Sequence, residues 1–278
     1  MNNKSLKIYY LSSEIDPFSN SYSLAKFSKE FNSFLNEFKD IDIRLIQPKY
    51  GYISERKYIL REVIRLKDLN IEFQNKNHII NLKSAFIPNT RVQLYFMEHQ
   101  KYFTPIPDLL YKSRNGRVYN NNHEKFTFFI KAVLESLTNL FWYPDIIVCN
   151  DWQMSMLPFI FKKYYKNLDQ FKKTKIVSFL HSYDKMYEFP TELFKGLDLD
   201  CNSKQKQQNT LEMGLQYSDK VYVFDDGQLV KNLNKRKKIK TALEKSSHKI
   251  FNVQDLDYSD KVDLFSLIKE DLNSISKK

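Results

Sequence analysis

The chain has 278 residues, 42% of them hydrophobic, which supports one large core or two small ones and excludes a disordered polymer. Its formal charge is +11, but Lys and Arg are scattered along the whole length, which argues against nucleic acid as a partner. No apolar stretch approaches the roughly 18 to 20 residues of a membrane span and no leader-like start is present, so a soluble, cytoplasmic protein without a membrane partner is expected.

Short β-branched and aromatic runs alternate with helical periodicities, the pattern of a doubly wound, mostly parallel Rossmann-like α/β sheet. The first strand is expected over Lys7 to Ser12 and the second over Ile41 to Gln47. Between them Leu24, Phe27, Phe31, Phe34, Leu35 and Phe38 share one helical face, with Ser19 or Ser21 as N-cap. Glu62 to His99 reads as several strands broken at Asp68-Leu69-Asn70, Asn75 to Asn77 and Pro88-Asn89, a small antiparallel excursion. A long helix follows from Glu124 to Trp142, capped by Asn121 or Asn122 and ended by Pro144. Three further strands are expected at Asp145 to Asn150, Ile176 to His181 and Lys220 to Phe224, the first two separated by an amphipathic helix around Met156 to Tyr164. Residues 1–226 thus make a Rossmann-like domain. Residues 227–278 hold a basic cluster, KNLNKRKKIK from Lys231 to Lys240, read as a flexible or helical solvated tail. A terminal helix then carries Leu264, Leu267, Ile268 and Leu272 and docks on the same domain. Cys149 and Cys201 read as free thiols. The five histidines lie too far apart in the sequence to suggest a metal site, and no cofactor is implied.

In open α/β sheets, ligands bind beyond the carboxyl ends of the strands. The segments to inspect are therefore Ser13 to Pro17, Pro48 to Gly51, Asp151 to Gln153, Ser182 to Asp184 and Asp225 to Gly227. Asp151 and His181 end up in one crevice on this reading.

Five segments, SSEIDPF, PKYG, NNHEKFTFFIKAVLE, YPDIIVCNDWQMSMLPFIFKKYY and VSFLHSYDKMYEFP, resemble in the same order the N-terminal domain of bacterial glycogen and starch synthases. The resemblance runs from about Lys7 to Phe224, is most specific around CNDWQ, and is nearest to short glycogen-synthase-like proteins that consist of this half alone. It implies half of a two-domain GT-B glycosyltransferase fold and glucosyl transfer from ADP-glucose to an α-1,4-glucan acceptor. Most of the donor grip then belongs to a C-terminal half, which a separate donor-binding chain would supply; a homo-oligomer is the other arrangement. By the same resemblance Asp151 and His181 are the catalytic candidates, and Asn20, Trp152, Gln153 and Ser182 the substrate-binding ones.

The family's Lys-Thr-Gly-Gly-Leu-Ala-Asp turn corresponds here to Asn20 through Lys26. A diphosphate turn needs glycines for close backbone approach and a lysine for charge. Tyr22 and Ser23 stand at the glycines, Asn20 at the lysine, and Lys26 reverses the sign of the aspartate, so a structural role for this turn is favoured over diphosphate binding. Asn121 and Lys125 likewise replace an aspartate and an arginine. Two readings stand for His181, a hydrogen bond to the transferred sugar or a strand-end histidine satisfied by backbone. Trp152 either lines the acceptor or packs. Tyr102 and Tyr111 are candidates for stacking on a glucan. Overall the expectation is a glycogen/starch-synthase-like protein with doubtful catalysis, the alternative being a non-catalytic glucan-binding or regulatory module.

Overall fold

The computed structural model describes residues 5–105 and 109–277. In chain order the strands are β1 (Leu6–Leu11), β2 (Ile41–Pro48), β3 (Arg61–Glu62), β4 (Leu69–Phe73), β5 (Lys76–Phe86), β6 (Gln93–Glu98), β7 (Ile146–Asn150), β8 (Lys175–Leu180), β9 (Glu188–Pro190), β10 (Gln207–Asn209), β11 (Lys220–Asp225) and β12 (His248–Asn252). The helices are α1 (Ser23–Leu35), α2 (Glu55–Tyr58), α3 (Gln100–Phe103), α4 (Asn122–Leu140), α5 (Leu157–Tyr164), α6 (Thr191–Gly196), α7 (Thr210–Gly214), α8 (Leu229–Asn234), α9 (Lys237–Lys245) and α10 (Tyr258–Ser276).

One sheet runs β12-β11-β8-β7-β1-β2-β6-β5-β3, with β4 paired to β5, and β9 and β10 form a separate hairpin. Every neighbouring pair from β12 to β6 is parallel, while β5 meets β6, β3 and β4 antiparallel. The central strands are covered on both faces, and their sequences are accordingly near-continuous apolar runs: Ile8 to Leu11 and Ile146 to Cys149 are buried. The chain leaves β1 toward β2 and β6, then returns to place β7 on β1's other side. The order reverses at that point, the place where open α/β sheets commonly bind ligands. Gly51 in PKYG has a packing reason, since a Cβ there would lie 2.1 Å from the Thr104 carbonyl oxygen. No helix among the described residues is long and apolar enough to cross a membrane.

Several boundaries differ from expectation. The N-cap of α1 is Tyr22, with no side-chain cap bond, rather than Ser19 or Ser21. Ser19 instead donates to Gln47 Oε1, and Ser21 turns to Glu14. Helix α4 ends at Leu140, because Phe141 adopts a left-handed conformation (φ 50°) three residues before Pro144. The 62–99 region is not wholly antiparallel, since β6 is a parallel neighbour of β2. Beyond Gly227 the chain is more ordered than a solvated tail. Leu229, Leu233, Ile239 and Leu243 are buried, so α8 and α9 pack through the spaces between the lysines. Strand β12 adds a parallel edge to β11. Helix α10 packs on α1, with Phe265 5.6 Å from the Phe27 ring and 5.3 Å from that of Phe31.

Candidate functional site

Position 151 follows β7 directly, and Asp151 is buried with positive φ (51°), a conformation that costs a non-glycine residue energy unless its surroundings hold it. What holds it is its carboxylate. Oδ1 accepts the backbone N–H of His181 (2.6 Å) and of Ser182 (3.0 Å), and Oδ2 accepts Ser182 Oγ–H (3.0 Å). The end of β7 is thereby fastened to the turn after β8. Burial raises the Asp151 carboxyl to about 7 against the opposing effect of these donors. Asp151 and His181 do meet, but the carboxylate reaches the backbone of His181 and not its ring, and the two side chains line different cavities.

The His181 imidazole stacks on Phe224 (4.6 Å between centroids, 10°) and meets Phe27 edge-on at 4.7 Å. Its Nε2 is buried and has no hydrogen-bond partner, and burial lowers the ring to about 3. The ring is therefore neutral at ordinary pH. It lines a 220 Å³ cavity at the carboxyl ends of β8, β11 and β12, walled on one side by Val253, Leu256, Leu264 and Phe265. The backbone-satisfied reading of the ring does not hold, since none of its partners is a backbone group.

Trp152 is 4% exposed, packed edge-on against Phe126 (5.3 Å) and Tyr111 (5.5 Å). Gln153 is fully buried, and its Nε2 donates to Tyr22 Oη (3.1 Å). Tyr22 Oη also approaches Asp151 Oδ2 at 3.4 Å. Asn20 does not join this network. It is exposed, donates to Asp16 Oδ1 (3.1 Å), and lines a separate 460 Å³ cavity with Ser19, Ser21, Tyr52 and Tyr58. Lys125 is buried and donates to the Leu110 carbonyl (3.2 Å), and burial lowers its amine to about 8.

The decisive residue of the first turn is Glu14, which the sequence places only as part of a strand-end segment. It is fully buried. Its carboxylate accepts the backbone N–H and the hydroxyl of Ser21, both at 2.5 Å, just before α1 begins. Tyr111 Oη–H donates to the same carboxylate (2.6 Å) and also contacts Ser13 Oγ (2.9 Å). Burial raises the Glu14 carboxyl, with the Ser21 and Tyr111 hydrogen bonds pulling the other way. The turn that would hold an anion at a helix start thus already holds a carboxyl group from within the chain. Tyr22 closes the side toward Gln153. Tyr111 and Tyr102, expected as stacking rings, are committed internally, the latter to Glu124. An acid just beyond the end of β1, seven residues before a serine ahead of a helix, is the sequence signal for this lock. Among the described residues no group of three or more His, Cys, Asp or Glu is placed to hold a metal ion.

Residues 7–227 match the starch synthase catalytic domain family. The glycogen synthase of Chlorobaculum parvum is 33% identical over 226 residues, 80% of this chain and 46% of that protein. That of Chlorobium luteolum is 34% identical over 197 residues, 71% of this chain and 40% of that protein. The chain therefore spans less than half the length of these relatives. Among solved structures, the catalytic domain of starch synthase IV from Arabidopsis thaliana, bound to ADP and acarbose, superposes with a TM-score of 0.70 at 18% identity, covering 89% of this chain and 52% of that one. The fold is of the GT-B type, and the chain belongs to the starch synthase catalytic domain family, as an N-terminal glycogen/starch synthase-like domain.

Proposed function

We propose that this chain serves glycogen/starch synthase chemistry as the part of the fold that faces the α-1,4-glucan, and that its own first turn takes no part in gripping ADP-glucose. The observation that carries the reading is the Glu14 carboxylate held by the Ser21 N–H and hydroxyl. A diphosphate brought to the same helix start would meet a like charge with no lysine to offset it. Loss of a single preorganised donor at a developing charge costs about 10² to 10³ in rate, so transfer needs cations from elsewhere, in cis or from a separate chain.

On this reading Asp151 is a positioning residue that sets the amides of His181 and Ser182, Ser182 is half-buried beside it, and Asn20 is exposed to ligand. A starch synthase of this fold is bound to ADP and acarbose, so a nucleotide sugar and an α-glucan are the ligand classes to try. Equilibrium dialysis of the purified chain with labelled ADP-glucose should give no binding at millimolar donor, and incubation with primed glycogen no incorporation. Stoichiometric binding, or glucose transfer by the chain alone, would defeat the reading.

A further inference from the structure

Starting from the Ser182–Asp184 turn, an open groove of about 890 Å³ runs between the β9–β10 hairpin, α7 and the start of α9. A 650 Å³ extension shares Tyr183, Glu188, Gln207 and Arg236 with it. We propose that this groove is a second seat for an α-glucan strand, an inference that rests on the glucan-facing reading above. Part of its wall, Arg236 to Ile239, lies beyond the residues matched to the family.

Three features of the lining carry the inference. First, its polar side chains are amides. Gln205, Gln207 and Gln216 all line it, and each amide offers both a donor and an acceptor, as does every hydroxyl of a glucan, while Asn202 and Asn209 beside them are held by the chain itself. Second, its charges offset one another. Lys185, Lys206, Lys235, Arg236, Lys237 and Lys238 are interleaved with Asp184, Glu188, Asp200 and Glu212, with Lys238 Nζ 3.7 Å from Glu212, so the groove lacks the one-signed field that a polyanion needs. An uncharged polyhydroxylic chain fits that balance.

Third, the centre is built in advance. The Tyr183 ring stacks on Tyr187 (5.5 Å, 28°), and its hydroxyl accepts Asn209 Nδ2–H (3.2 Å). Asn209 is itself fixed, donating to Glu188 Oε1 (2.8 Å) and accepting the Glu212 N–H (2.9 Å). An aromatic platform with neighbouring polar groups already oriented loses little on binding. Trp152, by contrast, is buried and offers no such face.

The test is native electrophoresis of the full chain through gels with and without glycogen, with maltoheptaose as competitor. The wild-type protein should be retarded and released by competitor. Tyr183→Ala, and separately Gln207→Ala with Gln216→Ala, should weaken retardation at least five-fold with unchanged circular dichroism. Both glutamines are exposed, so the second variant should keep its fold. An unretarded wild type, groove variants retarded like wild type, or retention on single-stranded DNA instead of glycogen would each overturn the proposal. Retention lost only on Asn20→Ala, in the separate cavity of the first turn, would overturn the groove and leave the glucan-facing reading intact, whereas ADP-glucose binding by the chain would overturn that reading and leave the groove untouched.

Discussion

His181 occupies a box of aromatic rings with one ring nitrogen buried and unpaired. An unsatisfied buried polar atom typically costs about 1 to 3 kcal/mol. His181→Phe, which keeps the stack on Phe224, should therefore raise stability at pH 7 by an amount of that order. The pH dependence has a definite sign. The folded ring is held near 3, while an unfolded histidine takes its proton near about 6.5. Its contribution is complete above the unfolded value and is lost as pH falls below it, so the variant should lose less stability than wild type between pH 7 and pH 4. Urea titrations across that range measure both effects, and a destabilised variant with an unchanged acid limb would refute them. His99, lowered to about 4 by burial, leaves part of the acid limb in place. Asp151 acts in the opposite direction: with its folded carboxyl raised to about 7, its contribution is present below about 3.8 and fades as pH rises through 7. The sequence shows that positions 151 and 181 converge, because adjacent parallel strands end side by side. Which atoms meet was not legible, since a carboxylate that caps two backbone amides and one that contacts a ring look alike in one dimension.

The elements read most clearly where burial is two-sided. β1, β2, β7, β8 and β11 announce themselves as apolar runs, and the 3.6-residue face of α4 is unmistakable. β12 is a different case. HKIFN lies at the sheet edge with Lys249 and Ile250 exposed, so its residues carry no core signature. The end of α4 was misplaced for a related reason. A phenylalanine is an improbable left-handed residue, and Pro144 offers a more familiar stop. Phe141 is 72% exposed, with the Arg65 guanidinium over its ring at 5.9 Å. Holding an L-residue in that conformation costs about 1 kcal/mol, so Phe141→Gly should raise the melting temperature by a few degrees. Calorimetry would show it, and a fall in melting temperature would mean that the Arg65 contact outweighs the backbone strain.

At the scale of the molecule, the boundary after residue 226 separates sequence compositions more than it separates bodies. β12 hydrogen-bonds along the whole of Val221 to Asp225, and Phe265 packs against Phe27, Phe31 and Phe34. A chain cut after Gly227 would expose an unpaired strand edge and that aromatic face together. It should lose its cooperative thermal transition or aggregate; a soluble fragment melting like the intact protein would show that the last fifty residues are dispensable. The doubly wound plan was evident because it is written in strand spacing. The sealed first turn was not, because the lock depends on where Glu14 points.

The two thiols have unequal prospects. Cys149 is buried in β7, its acidity suppressed to about 12 by that burial, and is closed to alkylating reagents, whereas Cys201 is half-buried on the wall of the amide-lined groove. The unaltered polypeptide therefore offers a single address for a maleimide fluorophore, already standing where a sugar polymer would brush against it, so that emission colour alone would follow occupancy in real time.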